Sequence, residues 1–190
     1  MTKILKTLIP HTIIKLLFIF FIFTTSAKTE CVNLNKNINF EDKAIDIIEF
    51  KINNERSFLA NVSKKLINNS YNLSKKKYLS EVEVIYKDSS RCLFNARLRP
   101  HGDINDHIEL INGMPISSIR VNLKKGNIKN ITRFILFRPK ARNYDNEIFT
   151  STFLSEIGIL SPRTFKVKVK LHGVVSEFLF QENIKKEFLE

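Results

Sequence analysis

Glycine is scarce in this sequence, and its scarcity limits the nucleotide sites that the chain can form. Only five glycines occur among 190 residues, which is too few for a conventional Gly-rich nucleotide loop. The GxGxxG, P-loop, GxSxG and HExxH motifs are also missing. The sequence therefore carries no motif for a dinucleotide-binding fold, a P-loop NTPase, an α/β-hydrolase or a zinc protease.

Acidic residues are few compared with basic ones. The chain has 19 Asp and Glu against 31 Lys and Arg, a formal net charge of +12, which favours anionic partners such as phosphates, acidic glycans or lipid headgroups. No run of five consecutive basic residues occurs, so we expect no general nucleic-acid binding. An alternative is that the charge reflects a background composition rich in Lys, Asn and Ile.

A long apolar run occurs only near the N-terminus, where Leu16–Phe23 follows three lysines and precedes "TTSA". This layout predicts a secretory signal peptide over residues 1–27. The apolar block is short for an uncleaved anchor, since a bilayer span needs about 20 residues. We therefore expect export to the periplasm or the extracellular space without a stable membrane anchor. Residues 28–43 then form a linker, and residues 44–190 form one domain.

Only two cysteines occur, Cys31 and Cys92, and both follow the predicted cleavage site. An even number of cysteines in an exported chain is compatible with a disulfide. The sequence does not show that the two residues approach each other. A disulfide and two free thiols therefore remain equal alternatives.

The hydrophobic pattern predicts a strand-rich domain with two helices. Helical spacing predicts a helix over Glu55–Ile67 and a second one from about Asp145 to Gly158, whose apolar face we expect to be buried against a sheet. Alternation predicts a hairpin of Tyr78–Tyr86 and Arg91–Arg99, and further strands in "SSIRVNLKK", "ITRFILFR", "TFKVKVKLH" and "VSEFLFQE". The expected fold is α+β, an antiparallel sheet with packed helices. The apolar face of the second helix consists of Ile148, Phe149, Phe153, Leu154 and Ile157.

Three predicted strands have one apolar and one basic face, because side chains alternate along a strand. Arg97 and Arg99 share a face of the first, Arg120 and Lys124 a face of the second, and lysines 166, 168 and 170 a face of the third. If these strands are neighbours, their basic faces merge into one cationic surface. Arginines there can bind phosphate through paired hydrogen bonds. The alternative is an ordinary solvated sheet face.

A cluster of polar residues in "RPHGDINDH" could suggest a metal site. It brings together His101, Asp103, Asp106 and His107, whose side chains suit zinc or similar ions. Their spacing matches no helical or finger pattern. We therefore favour a polar turn after a strand and predict no metal ligands.

Short motifs follow one another in a fixed order between residues 90 and 190, and this order resembles the N-terminal half of the CotH (spore coat protein H) kinase family. The motifs that carry the resemblance are "RLRPHG" (97–102), "EIG" (156–158), "SPR" (161–163), "HG" (172–173) and "QE" (181–182). The resemblance implies the N-lobe of an atypical kinase, with ATP and Mg²⁺ as cofactors. The acceptor would be an unknown protein or glycan.

The resemblance also implies roles for individual residues. Arg97 and Arg99 would lie near the nucleotide phosphates, Glu147 would pair with a basic strand residue, and Glu182 would lie at the junction to a second lobe. Ser117 and Ser118 stand where the family tends to have lysine, so Arg120 or Lys124 would take that role. The expected nucleotide-binding set is Arg97, Arg99, Arg120, Lys124, Glu147 and Glu182.

Two functions follow from these observations. In the first, the chain is the nucleotide-binding part of an exported, ATP-dependent phosphotransferase. The family keeps its catalytic and metal-binding aspartates in a region that would lie beyond Glu190, so this chain alone is expected to be an inactive, truncated lobe with unidentified catalytic residues. In the second, it is an exported module that binds acidic glycan or a phosphate-bearing polymer.

Overall fold

The computed structural model of the protein describes residues 30–32, 42–68, 70–102 and 105–183. The predicted signal peptide lies outside these residues, and so does most of the predicted linker.

Strands dominate the described residues, as the alternating sequence patterns predict. The two helices there are α1 (Glu55–Ile67) and α2 (Asn146–Glu156), and short 3₁₀ turns span Asn105–His107 and Pro139–Arg142. The strands are β1 (Glu30–Val32), β2 (Ile45–Ile52), β3 (Tyr78–Tyr86), β4 (Arg91–Pro100), β5 (Ile108–Ile111), β6 (Met114–Ser117), β7 (Ile119–Leu123), β8 (Arg133–Phe137), β9 (Thr164–Leu171) and β10 (Val174–Glu182).

Seven of these strands form a closed barrel. Going round it, the order is β4, β3, β2, β9, β10, β8 and β7, and β7 pairs again with β4. The β2–β9 pair is parallel, and the other neighbours are antiparallel. The closing ladder of β4 and β7 runs from the Ala96–Leu123 pair to the Pro100–Ile119 pair. β5 and β6 form a separate two-stranded hairpin.

Apolar residues at alternate positions of the strands fill the barrel. Phe94 and Leu98 from β4, Val121 from β7 and Phe180 from β10 belong to one continuous buried cluster. Phe180 is completely buried, and its ring stacks on Phe134 at 4.2 Å and on Phe165 at 4.6 Å between centroids. The intervening residues of the strands point outward and are mostly polar, except on β8 and β10, where Ile135, Phe137 and Leu179 form a small apolar cluster.

α1 matches its predicted bounds and contributes to the barrel core. Phe58 and Val62 on this helix are completely buried and belong to the same apolar cluster as the strands. His172 lies in the tight β9–β10 turn with Gly173, where both residues have positive φ, and its ring contacts Phe58 at 5.2 Å between centroids. The helix and the hairpin turn therefore pack on each other.

α2 forms where it was predicted, but the prediction that its apolar face is buried is wrong. Phe149 is 72% exposed and Phe153 is 52% exposed, and their rings stack on each other with 6.2 Å between centroids. Ile148 packs on a small outer cluster from β8 and β10, which consists of Ile135, Phe137 and Leu179. Only a narrow stripe of the helix therefore touches the barrel.

The predicted α+β fold, with helices packed on an antiparallel sheet as in a kinase N-lobe, is also wrong. The chain is mostly β and forms a closed seven-stranded barrel with two short helices in its described part. Alternation in a sequence shows which residues face inward, but it does not show whether the two edges of a sheet meet. Here the edges meet in the β4–β7 ladder, and the core lies inside the barrel instead of between a sheet and helices.

The backbone places the two cysteines on neighbouring strands. β1 pairs with the first residues of β4, and Cys31 stands opposite Cys92 in that ladder. Cys92 is disulfide-bonded. Of the two alternatives that the sequence left open, the structure supports the disulfide.

We expect core truncation to be far more damaging than truncation on α2. Phe180→Ala should lower the free energy of unfolding by about 3–5 kcal/mol, because it removes a buried ring between two others. Phe153→Ala should change it by less than about 0.5 kcal/mol, because that ring is half exposed. Urea denaturation of both variants checks this, and similar losses would contradict the described packing of α2.

Candidate functional site

The outer surface of the barrel carries a cavity of about 420 Å³, here called the arginine cavity. Strands β4, β7 and β8 supply most of its wall, and two residues that flank strands complete it. The lining residues are Lys77, Arg97, Leu98, Arg99, Arg120, Val121, Asn122, Arg133 and Asn183.

Alternation along β4 places two arginines outside the barrel. Leu98 is 1% exposed and points into the core, so its neighbours Arg97 and Arg99 point outward. Closure of the barrel then places β7 beside β4 in the same sheet. Arg99 stands directly opposite Arg120, and Arg97 stands opposite Asn122. Residues far apart in sequence thus become direct neighbours.

β8 adds a further arginine. Arg133 stands opposite Asn122 on β7 and donates a hydrogen bond from its Nε to the Asn122 Oδ1 at 3.0 Å. The backbone N–H of Asn183, just after β10, donates to the Arg133 carbonyl at 3.0 Å. These bonds hold the Arg133 backbone and side chain in place at the cavity wall.

Positive charge in the cavity is not balanced by the described protein. Five lining residues are cationic, and no Asp or Glu occurs among the described residues that line the cavity. Burial lowers the pKa of Arg120, and the nearby charge of Arg99 lowers it further. The Arg120 Nε is buried without a hydrogen-bond partner in the described structure. The cavity therefore holds like charges close together and suits an anionic ligand.

His101 lies beside these arginines and responds to them. Burial, together with the nearby charges of Arg120, His107, Arg99 and Arg142, lowers its pKa to about 4. Its ring makes edge contacts with His107 and with Phe137, at 5.6 and 5.3 Å between centroids. At neutral pH His101 is therefore uncharged, mainly because its ring is buried and in smaller part because Arg120 and Arg99 are near it.

Gly102 fixes the chain next to His101. It has a φ of +96°, and a Cβ at this position would lie 2.0 Å from the His107 ring. The His107 Nδ1 is 3.1 Å from the Ser118 Oγ, which in turn accepts a hydrogen bond from the Arg138 N–H at 2.8 Å. Ser118 is fully buried, so this Ser–His contact serves the structure of the loop.

The polar turn that contains His101 shows no metal centre in its described residues. No group of three His, Cys, Asp or Glu side chains with ligand geometry occurs anywhere in the described parts of the chain. Asp106 faces Lys140 at 3.8 Å. Asp103 lies outside the described residues.

The structure brings together three of the six predicted nucleotide-binding residues. Arg97, Arg99 and Arg120 line the arginine cavity, whereas Lys124 is exposed just after β7 and does not line it. Glu147 accepts a hydrogen bond from Gln181. Glu182 forms an ion pair with Arg163, with 2.9 Å between Oε2 and Nε.

The lysines of β9 do not join the arginines in one surface. β9 lies between β2 and β10 in the barrel, away from β4 and β7. Lys166 pairs with Asp145 at 2.6 Å and with Glu177 at 3.6 Å, and Lys170 pairs with Glu49 at 3.0 Å. The basic face of β9 is therefore largely neutralised. Of the three strands with a basic face, only β4 and β7 are neighbours, so only their basic faces merge into one surface.

Sequence reasoning missed Lys77, Arg133 and Asn183 as cavity residues. Arg133 opens a strand that was recognised, but its neighbours follow from the β7–β8 register, which no local pattern encodes. Lys77 immediately precedes β3, and Asn183 immediately follows β10. Their positions at strand ends are the one signal in the sequence that points to them.

A second cleft of about 310 Å³ lies between α2 and the start of β9. Its wall includes Arg163 and Glu156 together with several serine and threonine hydroxyls. Arg163 is already bonded to Glu182 and to the Lys129 carbonyl. This cleft therefore lacks the uncompensated charge that distinguishes the arginine cavity.

No protein-family model matches the sequence, and no curated protein matches it. Among the described residues, no helix has the length and apolarity that a membrane crossing requires.

The depressed pKa of His101 predicts a specific dependence of stability on pH. Between pH 6.5, the ordinary value, and about pH 4 the unfolded chain binds a proton at His101 that the folded chain does not. The free energy of unfolding should therefore fall as pH falls through this range and level off for this group below about pH 4.

Urea denaturation of the wild type and of His101→Gln at pH 7, 5.5 and 4 measures this effect. The variant should lose less stability on acidification, because the other titrating groups are common to both proteins. Equal losses in the two proteins would show that His101 does not titrate as described.

Proposed function

We propose that this protein is an exported binding module for a phosphate-bearing or acidic polymer, which it holds in the arginine cavity. The observation that carries the proposal is the presence of four arginines and one lysine around one cavity, without a carboxylate among the described lining residues. A surface that serves only solubility gains nothing from concentrated charge of one sign, whereas an anion-binding site requires it.

The residue types favour oxyanions. Arginine presents a planar fork that can donate two parallel hydrogen bonds to a phosphate or a carboxylate. Asn122 and Asn183 add neutral amide donors at the cavity wall. The strand backbones of a closed barrel hold these groups, so little ordering is needed when a ligand binds.

Two observations support an exported protein. The arrangement of lysines, apolar block and small residues at the N-terminus is that of a signal peptide. In addition, Cys92 is disulfide-bonded, and disulfides persist in oxidising compartments such as the periplasm and the extracellular space.

A nucleotide is the second candidate ligand. The resemblance to CotH kinases names Arg97, Arg99 and Arg120 as phosphate-binding residues, and these three line the same cavity. The barrel is not the N-lobe that the resemblance implies, so the support for ATP with Mg²⁺ is limited to these arginines. A comparison of ligands separates the two candidates.

Binding to immobilised polymers tests the proposal. The purified protein should bind polyphosphate or polygalacturonate more tightly than it binds ATP with Mg²⁺, as measured by biolayer interferometry at fixed ionic strength. Arg97→Gln and Arg120→Gln should each weaken polymer binding by at least about tenfold, since a hydrogen bond to a charged group contributes about 1.5–3 kcal/mol.

Lys168→Gln is the matched control, because it removes one positive charge on the far side of the barrel from the cavity. It should weaken polymer binding by less than about twofold. Equal losses for Lys168→Gln and Arg97→Gln would mean that the whole surface attracts anions without a site. Tighter binding of ATP with Mg²⁺ than of either polymer would favour the nucleotide.

A further inference from the structure

The polar and charged residues of the arginine cavity fall into two rows that run across the strands. The first row contains Arg99 and Arg120, which are direct cross-strand partners. Lys77 extends it, because Tyr78 pairs with Leu98 and the preceding residue therefore lies at the level of Arg99. The second row consists of Arg97, Asn122, Arg133 and Asn183, which are successive neighbours across β4, β7, β8 and the end of β10.

The distance between the rows follows from strand geometry. Arg97 and Arg99 are separated by one residue, so their Cα atoms are about 7 Å apart along β4. Neighbouring strands lie about 5 Å apart, so the Cα atoms of Arg99 and Arg120 in the first row are about 5 Å apart, and those of Arg97 and Arg133, with Asn122 between them, are about 10 Å apart. The cavity therefore has positive charge at two levels along the strands, which are about 7 Å apart.

Charge balance argues against a single small anion. The first row carries three positive charges and the second row carries two. A phosphate monoester carries about −1.5 to −2 at pH 7, and a diester carries less. One phosphate bound at either row would leave the charges of the other row unbalanced.

We propose that the arginine cavity binds two phosphate groups of one ligand at once, one at each row, with an organic spacer between them as in a polymer whose repeating units carry phosphate monoesters. This inference rests on the proposed function and adds the spacing and the chemistry of the ligand. Phosphates that share one bridging oxygen lie closer together than the rows do. Phosphates joined through an organic unit can match the separation of the rows.

Small phosphate ligands provide the first test. Isothermal titration calorimetry at fixed ionic strength compares fructose 1,6-bisphosphate with fructose 6-phosphate, and pyrophosphate with orthophosphate. The bisphosphate should bind at least about tenfold more tightly than the monophosphate. Pyrophosphate should gain much less over orthophosphate.

Several outcomes would overturn the inference. Equal affinities for the monophosphate and the bisphosphate would show one phosphate site, and the proposed function would survive. Pyrophosphate that binds as tightly as the bisphosphate would contradict the spacer. Failure of every phosphate ligand, together with a failure of polyphosphate and polygalacturonate to bind, would remove the proposed function itself.

Variants in each row provide the second test. Arg120→Gln disables the first row and Arg133→Gln the second. Either one should reduce the advantage of the bisphosphate over the monophosphate to less than about threefold, since only one row then remains. Arg120→Lys keeps the charge and should retain part of the advantage. Such a result would show that Arg120→Gln acts by removing the charge and not by disturbing the fold. Equal weakening of both ligands would contradict two separate positions.

His101 gives a readout that reports on the first row alone. An anion beside Arg99 and Arg120 opposes the positive charges that lower the pKa of His101, so saturating fructose 1,6-bisphosphate should raise that pKa, as measured by NMR titration. The rise should be lost in Arg120→Gln and kept in Arg133→Gln at saturation. An unchanged pKa with bound bisphosphate in the wild type would show that the first row holds no phosphate.

Discussion

The pairing of β4 with β7 is the contact on which the rest of the structure depends. It joins the two edges of a seven-stranded sheet, and it thereby encloses a core in which Phe180 stacks on Phe134 and on Phe165. The same ladder places Arg99 against Arg120 on the outside. One set of backbone hydrogen bonds therefore determines both the stability of the barrel and the geometry of the candidate site. Without it, the arginines of β4 would lie on an exposed sheet edge, with no cavity around them.

Local features of the fold could be predicted from the sequence because their causes are local. The bounds of α1 and the β3–β4 hairpin follow from the spacing of apolar residues and from the turn between the strands. The inward and outward faces of β4 and β7 follow from alternation alone. Arg97, Arg99 and Arg120 were recognised as candidates for that reason, and the structure shows that they line one cavity.

Other features depend on which strands meet, and no short stretch of sequence encodes that. The lysines of β9 have the same pattern as the arginines of β4, yet β9 lies next to β2 and β10, where Glu49 and Glu177 neutralise them. α2 shows the same limit for a helix. Its apolar residues have helical spacing, but a closed barrel already buries its own core and leaves only a narrow contact for Ile148. Helical period therefore predicted the helix and not the burial of its face.

The arginines of this protein differ in whether the chain itself supplies their partners. Arg138 is buried and bonds to Glu109, Ser176 and the Glu177 carbonyl, and Arg163 is held by Glu182. These arginines stabilise the fold through partners that the chain itself provides. Arg99 and Arg120 are held together without such partners among the described residues, although their mutual repulsion and the buried Arg120 Nε disfavour the folded state. The proposed anionic ligand would offset both unfavourable contributions, because it would pair with these charges when it binds.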